Sequence, residues 1–474
     1  MSRKFAGTHI PLPTGEGRGA KRPRVRGTAK RSNMKPTSNL EDLSLVDAAS
    51  AIRSKQMSSE EYTGALLAHI DRMEPRVQAF VTIDRDSIIA EAKRCDSEAA
   101  AGRFRGPLHG VPIGVKDVYY TKGLRTTVGA APFQDFVPDC DADLVIQLKR
   151  AGAIVLGKTV TTVFVFLDPG PTRNPWNLDH TPGGSSSGSA AAVAARMCAG
   201  AIGSQTVGSV GRPAAYNGVV SLMPTQSRVS MKNAFPLSWP LDHAGIFGRS
   251  VADIEVQLKA IAQSPIETAN PKRPVRIGVI RDFFYENATP EARTLQDGFL
   301  GMLAAAPEFR VNEVKLPAAF ELCQPILRTI LRADVAAIHK DLFAAHPTAY
   351  GPKLRELIET GMLVSAEDYL RARRLRRQFQ REMMQLFETF DVLVTPAAPG
   401  PAPSGIGATG NAVMNGPWSL ADFPTMTLPY GLAANGLPLG IQLSGPPFAE
   451  AALMDAASAI ESVAAFKEKP CLLT

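Results

Sequence analysis

The stretch at residues 181–213, TPGGSSSGSAAAVAARMCAGAIGSQTVGSVGRP, is where residue types and spacing point most directly to chemistry. Glycines and serines open it, a run of small residues of helical length follows, and a second glycine–serine turn closes it. A flexible Gly/Ser linker does not run straight into an alanine-rich, water-avoiding helix. The order predicts backbone amides and hydroxyls held at the start of a buried helix, an arrangement that surrounds a developing negative charge with donors. Such a cradle becomes reactive only with a nucleophile and a group to take its proton. Histidine is the usual base, yet none fits. His9 lies near the N-terminus, His69, His339 and His346 fall within helical patterns, and His109, His180 and His243 lack a convincing Ser/Asp context. A G-x-S-x-G elbow is also missing, which disfavours a histidine-based triad. The other candidate base is Lys116, placed directly after the run Val111-Pro112-Ile113-Gly114-Val115. A lysine there is either a solvent-exposed strand terminator or a buried amine. Burial lowers the ordinary lysine pKa of ~10.4 by up to 3–5 units, enough to make a base.

These groups need a scaffold, and the hydrophobic pattern supplies one. Leu43, Val46, Ala49 and Ile52 share one side of a short helix. Ser58 with Glu61 forms a capping box ahead of Leu66, Leu67 and Ile70, and a third helix covers 86–101. The strand ending at Lys116 and Asp117 follows, then a helix at 142–151 and a strand at 153–156. Residues 250–390 are mostly helical, with strands at 275–280 and 310–314. Further strands lie at 392–394, 425–428 and 439–443, before a last helix at 449–463. Strands alternate with helices without a repeat period. That predicts an α/β fold, a single large domain with a mixed twisted β-sheet covered by helices on both faces. The domain is expected over 34–474, with a variable helical region at about 254–390. The arginines of 371–381 are expected on a solvated, salt-bridged helix face near Glu367 and Asp368.

Charge narrows the function classes. Residues 1–33 hold nine basic residues against one acid, more than the whole chain's net +7, so the remainder is near neutral. This Gly/Pro/Arg/Lys-rich segment reads as a disordered tail, or as an upstream start with Met34 as the true first residue. No nucleic acid is expected on the folded domain. Five cysteines without a CxxC pair fit a reducing compartment, and the cytoplasm is the default location. No apolar run is long enough to span a membrane. Asp139, Asp141 and Asp143 imitate the start of a calcium loop, but Leu144 and Arg150 stand where Gly and Glu are required, so no metal is expected.

Taken together, the motifs resemble the amidase signature family over nearly all of residues 34–474. The strongest are GVPIGVKD (110–117), NPWNLDHTPGGSSSGSAAAVAA (174–195) and GSQTVGSVGRPAAYNGVVSLMPT (203–225). PLSWPLDHAG (236–245), DVLVTPAAP (391–399) and GLPLGIQLSG (436–445) support them. The resemblance implies a Ser–cis-Ser–Lys unit without a cofactor. Lys116 falls on the family's base, Ser185 on the bridging serine after a cis peptide bond, and Ser209 on the nucleophile. Ser186 would support the bridge, and the backbone N–H groups of Thr206, Val207, Gly208 and Ser209 would bind the oxyanion. Ser185 and Ser209 are expected at opposite ends of one buried small-residue helix. The implied activity is hydrolysis of a small carboxamide or aryl/acyl amide to a carboxylate and ammonia or an amine. Two alternatives stand beside it: the amidase subunit of a glutamyl-/aspartyl-tRNA amidotransferase, and a catalytically weakened binding protein. The second is prompted by departures from the family pattern at Val207, Gly211 and Met223, beside further departures at Ser187, Gln205 and Asn217. His180, Tyr119, Phe133 and Trp239 are candidates for the pocket wall, with core packing as the alternative. A homodimer is the default assembly.

Overall fold

Stretches rich in Val, Ile, Leu and Gly with few charges form strands that can be buried on both faces. The computed structural model describes residues 39–267 and 273–473. Within them lie β1 (Phe80–Thr82), β2 (Pro112–Lys116), β3 (Ile154–Thr159), β4 (Ala201–Gln205), β5 (Val220–Met223) and β6 (His243–Gly248). They are followed by β7 (Val275–Val279), β8 (Phe309–Glu313), β9 (Val392–Pro396), β10 (Thr425–Leu432) and β11 (Pro438–Ser444). All join one sheet in the order β1-β3-β2-β4-β6-β5-β10-β11-β9-β7-β8. The β2–β3, β2–β4, β7–β8 and β7–β9 pairs are parallel. The other pairs are antiparallel, so the sheet is mixed as expected. Every residue of β2, β4, β5, β6, β9 and β11 is buried, which requires cover on both faces.

That cover comes from α1 (Leu45–Arg53), α2 (Ser59–Val77), α3 (Arg85–Ala100), α4 (Asp143–Arg150), α5 (Ser187–Ala194), α6 (Gly211–Asn217) and α7 (Val251–Ile261). The later helices are α8 (Pro290–Ala305), α9 (Cys323–Ala345), α10 (Pro352–Gly361), α11 (Ala366–Thr389), α12 (Gly416–Ala421) and α13 (Glu450–Ala464). Their starts follow local capping chemistry. The Ser58 hydroxyl accepts the Glu61 N–H at 2.9 Å, satisfying one donor that the first turn of α2 leaves open. Residues 39–474 form one unit, and the basic segment 1–33 lies outside the described residues. No helix of the described residues is long and apolar enough to cross a membrane.

Three expectations change. The small-residue run is not one helix between the two serines: α5 stops at Ala194 and the chain crosses the sheet as β4 before reaching Ser209. Alanine-rich composition concealed the strand, because burial within the sheet overrides helix propensity there. β3 runs on through Lys158, whose side chain is fully buried where a strand end had been expected. The arginine face of α11 is only partly solvated. Arg371 pairs with Glu367 at the surface, but Arg376 is buried, donating to the Leu420 carbonyl at 2.8 Å and pairing with Asp422 at 2.6 Å.

Candidate active site

Two neighbouring parallel strands and one helix start converge on the candidate residues. β2 and β4 pair with Val115 opposite Ile202, which brings Lys116 at the end of β2 alongside the last residues of β4. The outer ends of parallel strands are where such sheets present reactive groups. Ser185 and Ser186 precede α5, and the Gly184–Ser185 peptide bond is cis. Lys116 is no terminator, for its side chain is completely buried. Its Nζ lies 2.7 Å from Ser185 Oγ, 2.9 Å from Ser204 Oγ and 3.3 Å from the Ser204 carbonyl oxygen. The three contacts occupy all three hydrogen-bonding directions of the amine. Burial holds the Lys116 amine well below its ordinary value, only partly opposed by the charge of Asp242. A buried amine of lowered proton affinity is able to serve as a base.

Ser186 supports the site differently from the expectation. Its hydroxyl donates to the Ser204 carbonyl at 3.1 Å and accepts the Ser204 N–H at 3.2 Å. It therefore fixes the residue that holds Lys116, rather than touching Ser185. Ser209 is half-buried in the turn between β4 and α6. Among the described residues its hydroxyl has no hydrogen-bond partner, so the structure brings Lys116 and Ser185 together but draws no bond from Ser185 to Ser209. The backbone N–H groups of Val207, Gly208 and Ser209 are likewise unengaged among the described residues. Thr206 heads this turn, its hydroxyl donating to Asp242 Oδ1 at 2.6 Å.

Among the departures from the family pattern, Gln205, Gly211 and Met223 are in contact, and Val207 joins them through Ser419. Val207 does not adopt a positive φ, so its β-branched side chain carries no left-handed strain. Gln205 Oε1 accepts the N–H groups of Val210 and Gly211 at 2.8 and 3.1 Å, closing the start of α6. Its Nε2 lies 3.0 Å from Ser419 Oγ and 2.9 Å from Met223 Sδ, and Ser419 donates on to the Val207 carbonyl at 3.1 Å. Gln205 and Ser419 thus hold the turn together with the Asp242 carboxylate on Thr206, and its free N–H groups are left on offer. Asn217 donates to the Pro182 and Pro213 carbonyls, both at 2.7 Å, tying the first glycine–serine turn to the second. A Cβ at Gly211 would stand 2.8 Å from Asn415 Nδ2 and 3.2 Å from Gln442 Oε1. Gly211→Val is therefore expected to destabilise the fold by about 1–3 kcal/mol through overpacking, read as a lower urea midpoint.

Four contributors were not singled out from the sequence: Ser204, Arg212, Asp242 and Ser419. Arg212 is buried and donates to the Gly184 carbonyl at 2.6 Å and the Gly410 carbonyl at 2.7 Å. Burial pushes it down to about 10, and it anchors the peptide bearing Ser185. The available signal was charge inside apolar sequence, as in Gly-Arg-Pro-Ala-Ala and Pro-Leu-Asp-His-Ala. Ser204 and Ser419 gave none. Among the wall candidates, Tyr119 is a buried strut donating to the Gly203 carbonyl at 2.8 Å. Phe133 packs edge-on against Phe136, Phe164 and Phe235, whereas Trp239 is 60% exposed. His180 is half-buried and bridges to Ser404 and Gly405. No group of acidic, histidine or cysteine side chains among the described residues could hold a metal ion.

Comparison with known proteins identifies the family and the fold. The family model described as Amidase matches residues 61–454. The chain is 31% identical to a glutamyl-tRNA(Gln) amidotransferase subunit from Geobacter metallireducens, over 90% of this chain and 98% of the relative. The crystal structure of a peptide amidase from Stenotrophomonas maltophilia superposes with a TM-score of 0.79 at 29% identity, covering 91% of this chain and 99% of that one. That of 6-aminohexanoate cyclic dimer hydrolase gives 0.81 at 25% identity, covering 92% and 100%. The chain belongs to the amidase family and is a hydrolase of amide carbon–nitrogen bonds.

Proposed function

We propose that this protein hydrolyses a small carboxamide or aryl/acyl amide through an acyl-enzyme, with Ser209 as nucleophile, Ser185 as bridge and Lys116 as base. The observation that carries the reading is a fully buried lysine, held below its ordinary proton affinity, 2.7 Å from Ser185 Oγ. A serine hydroxyl is too weak an acid to attack an amide unaided. Neutral Lys116 takes the Ser185 proton while Ser185 takes that of Ser209, whose oxygen bonds to the substrate carbonyl carbon. The carbonyl oxygen becomes an oxyanion facing the N–H groups of the 206–209 turn, each such donor contributing on the order of 3 kcal/mol. The C–N bond then breaks as the proton returns along the relay to the departing nitrogen. Water releases the acid and restores Ser209 by the same path. Catalytic hydrogen bonds are often long in unliganded enzymes and tighten with substrate, which accommodates the open Ser185–Ser209 link.

A fluorophosphonate probe tests this directly. The folded protein is expected to take one label, at Ser209 by peptide mass, and a panel of primary amides and anilides is expected to yield acid and ammonia or amine. A protein that melts cooperatively but takes no label overturns the reading and leaves the binding-protein alternative. The second reading, the amidase subunit of a glutamyl-/aspartyl-tRNA amidotransferase, is supported by the name of the Geobacter relative. The near-neutral charge of residues 34–474 weighs against an RNA-facing surface. Ammonia release from glutamine alone, requiring a second, co-purifying protein, would select it over a free-standing amidase. Turnover of simple amides by the isolated chain would select the first.

A further inference from the structure

Asp242 lies outside the proposed relay, yet it holds Thr206 at the head of the turn that carries Ser209, and its charge acts on Lys116. Its carboxylate is 8% exposed and accepts hydrogen bonds from three neutral donors: Thr206 Oγ1 at 2.6 Å, Leu237 N at 2.8 Å and Ser238 N at 3.1 Å. The loop carrying it is fastened in turn. Asp242 N donates to the Ser238 carbonyl at 2.8 Å, and the Ser238 hydroxyl donates to Asp334 on α9 at 2.5 Å. A carboxylate withdrawn from water is costly unless hydrogen bonds and nearby charge offset it. Burial raises the proton affinity of Asp242, and the Thr206 hydroxyl leads the contacts that oppose this.

We propose that Asp242 is a positioning residue of the hydrolytic site, fixing the head of the 206–209 turn through Thr206 and keeping a negative charge within range of Lys116. The inference rests on Lys116 being the base, as argued above. Each turnover creates a buried ammonium at Lys116, and a carboxylate already in place stabilises that cation without rearranging. The titratable groups within electrostatic reach of Asp242 are Lys116, Tyr119 and the adjoining His243, with Asp334 beyond Ser238. The other buried lysine nearby, Lys158, faces its own partner, with Asp117 Oδ1 at 3.5 Å.

The test is Asp242→Asn, with kcat, KM and the pH profile measured on any amide the wild type turns over. Activity requires neutral Lys116, so the rate rises with pH through its folded pKa. Deleting the charge that raises this pKa is expected to move the acid limb to lower pH. It is also expected to lower kcat by roughly 10–100-fold, as for a turn slightly misplaced, at nearly constant KM. Thr206→Val is expected to lower kcat with the limb unmoved, and the double variant to resemble Asp242→Asn alone. A wild-type profile in Asp242→Asn overturns the proposal, and so does a lower kcat with the limb in place. If Asp242→Asn does not melt cooperatively, Thr206→Val decides, a wild-type kcat there being fatal. Fluorophosphonate labelling separates the two levels: an unlabelled wild type sinks the hydrolytic reading, whereas a labelled one with an indifferent Asp242→Asn sinks only this inference.

Discussion

Ser209→Ala is expected to lower kcat by roughly 10⁴–10⁶-fold while leaving the melting temperature where it was. The first half follows from chemistry. Without the hydroxyl no acyl-enzyme forms, and only the oxyanion cradle and substrate binding remain, which elsewhere sustain a residue of ~10³–10⁴ over water. The second half follows from packing. Ser209 is half-buried and its side chain has no hydrogen-bond partner among the described residues, so its loss falls in the range of surface changes, within about 0.5 kcal/mol. Ser185→Ala removes a group that Lys116 holds at 2.7 Å and is expected to cost nearly as much activity. The double variant is expected to be no worse than the poorer single one, because residues that act as a unit are not additive. Single-turnover assays with differential scanning calorimetry supply both readings. A Ser209→Ala enzyme keeping more than about 1% of kcat would move the nucleophile elsewhere.

How much of this was legible before the structure depends on the kind of signal each residue leaves. Periodicity located the helices and most strands because one face or both must be buried, and the Ser58 cap placed the start of α2 to the residue. Lys116 was readable as an anomaly, a charge closing an apolar run, and the structure resolves its two meanings in favour of burial. The break between α5 and β4 was not readable, because Ala, Gly and Ser suit a tightly packed helix and a tightly packed strand alike. Ser204 and Ser419 were invisible for a different reason. Their contributions come from hydrogen bonds across the sheet and from α12, and a serine gives no advance notice of its partners.

The departures near Ser209 illustrate the same limit. Taken one at a time, Gln205, Val207 and Met223 suggested a damaged oxyanion turn. In space they form one set of contacts, Gln205 reaching Met223 and Ser419 while Ser419 holds the Val207 carbonyl. Beside the Asp242 carboxylate on Thr206, these neutral groups hold the remainder of the turn by hydrogen bonds alone. Single-position comparison cannot register such contacts, because it takes each residue without its neighbours.

Lys116→Met is expected to abolish amide turnover, by about 10²–10⁴-fold for loss of the base, and also to change how stability depends on pH. In the folded protein burial depresses the Lys116 pKa, whereas the unfolded chain titrates near the ordinary 10.5. Between those two values the unfolded chain holds a proton that the folded one does not, so Lys116 makes wild-type stability rise with pH across that window. Above 10.5 the contribution is flat. Below the folded value it is flat again, with the full penalty of burying the amine in force. Methionine removes the titration while occupying similar space. The hydrogen bonds lost to Ser185 and Ser204 add a cost that is nearly the same at every pH, and Lys158, depressed to about 8 mainly by burial, titrates in both proteins. The difference in unfolding free energy, wild type minus Lys116→Met, isolates the one group. It is expected to climb toward alkaline pH by up to ~1.4 kcal/mol per unit, read from urea midpoints over a pH series. A flat difference would mean that Lys116 is protonated in the folded state, and a protonated lysine cannot take the proton of Ser185.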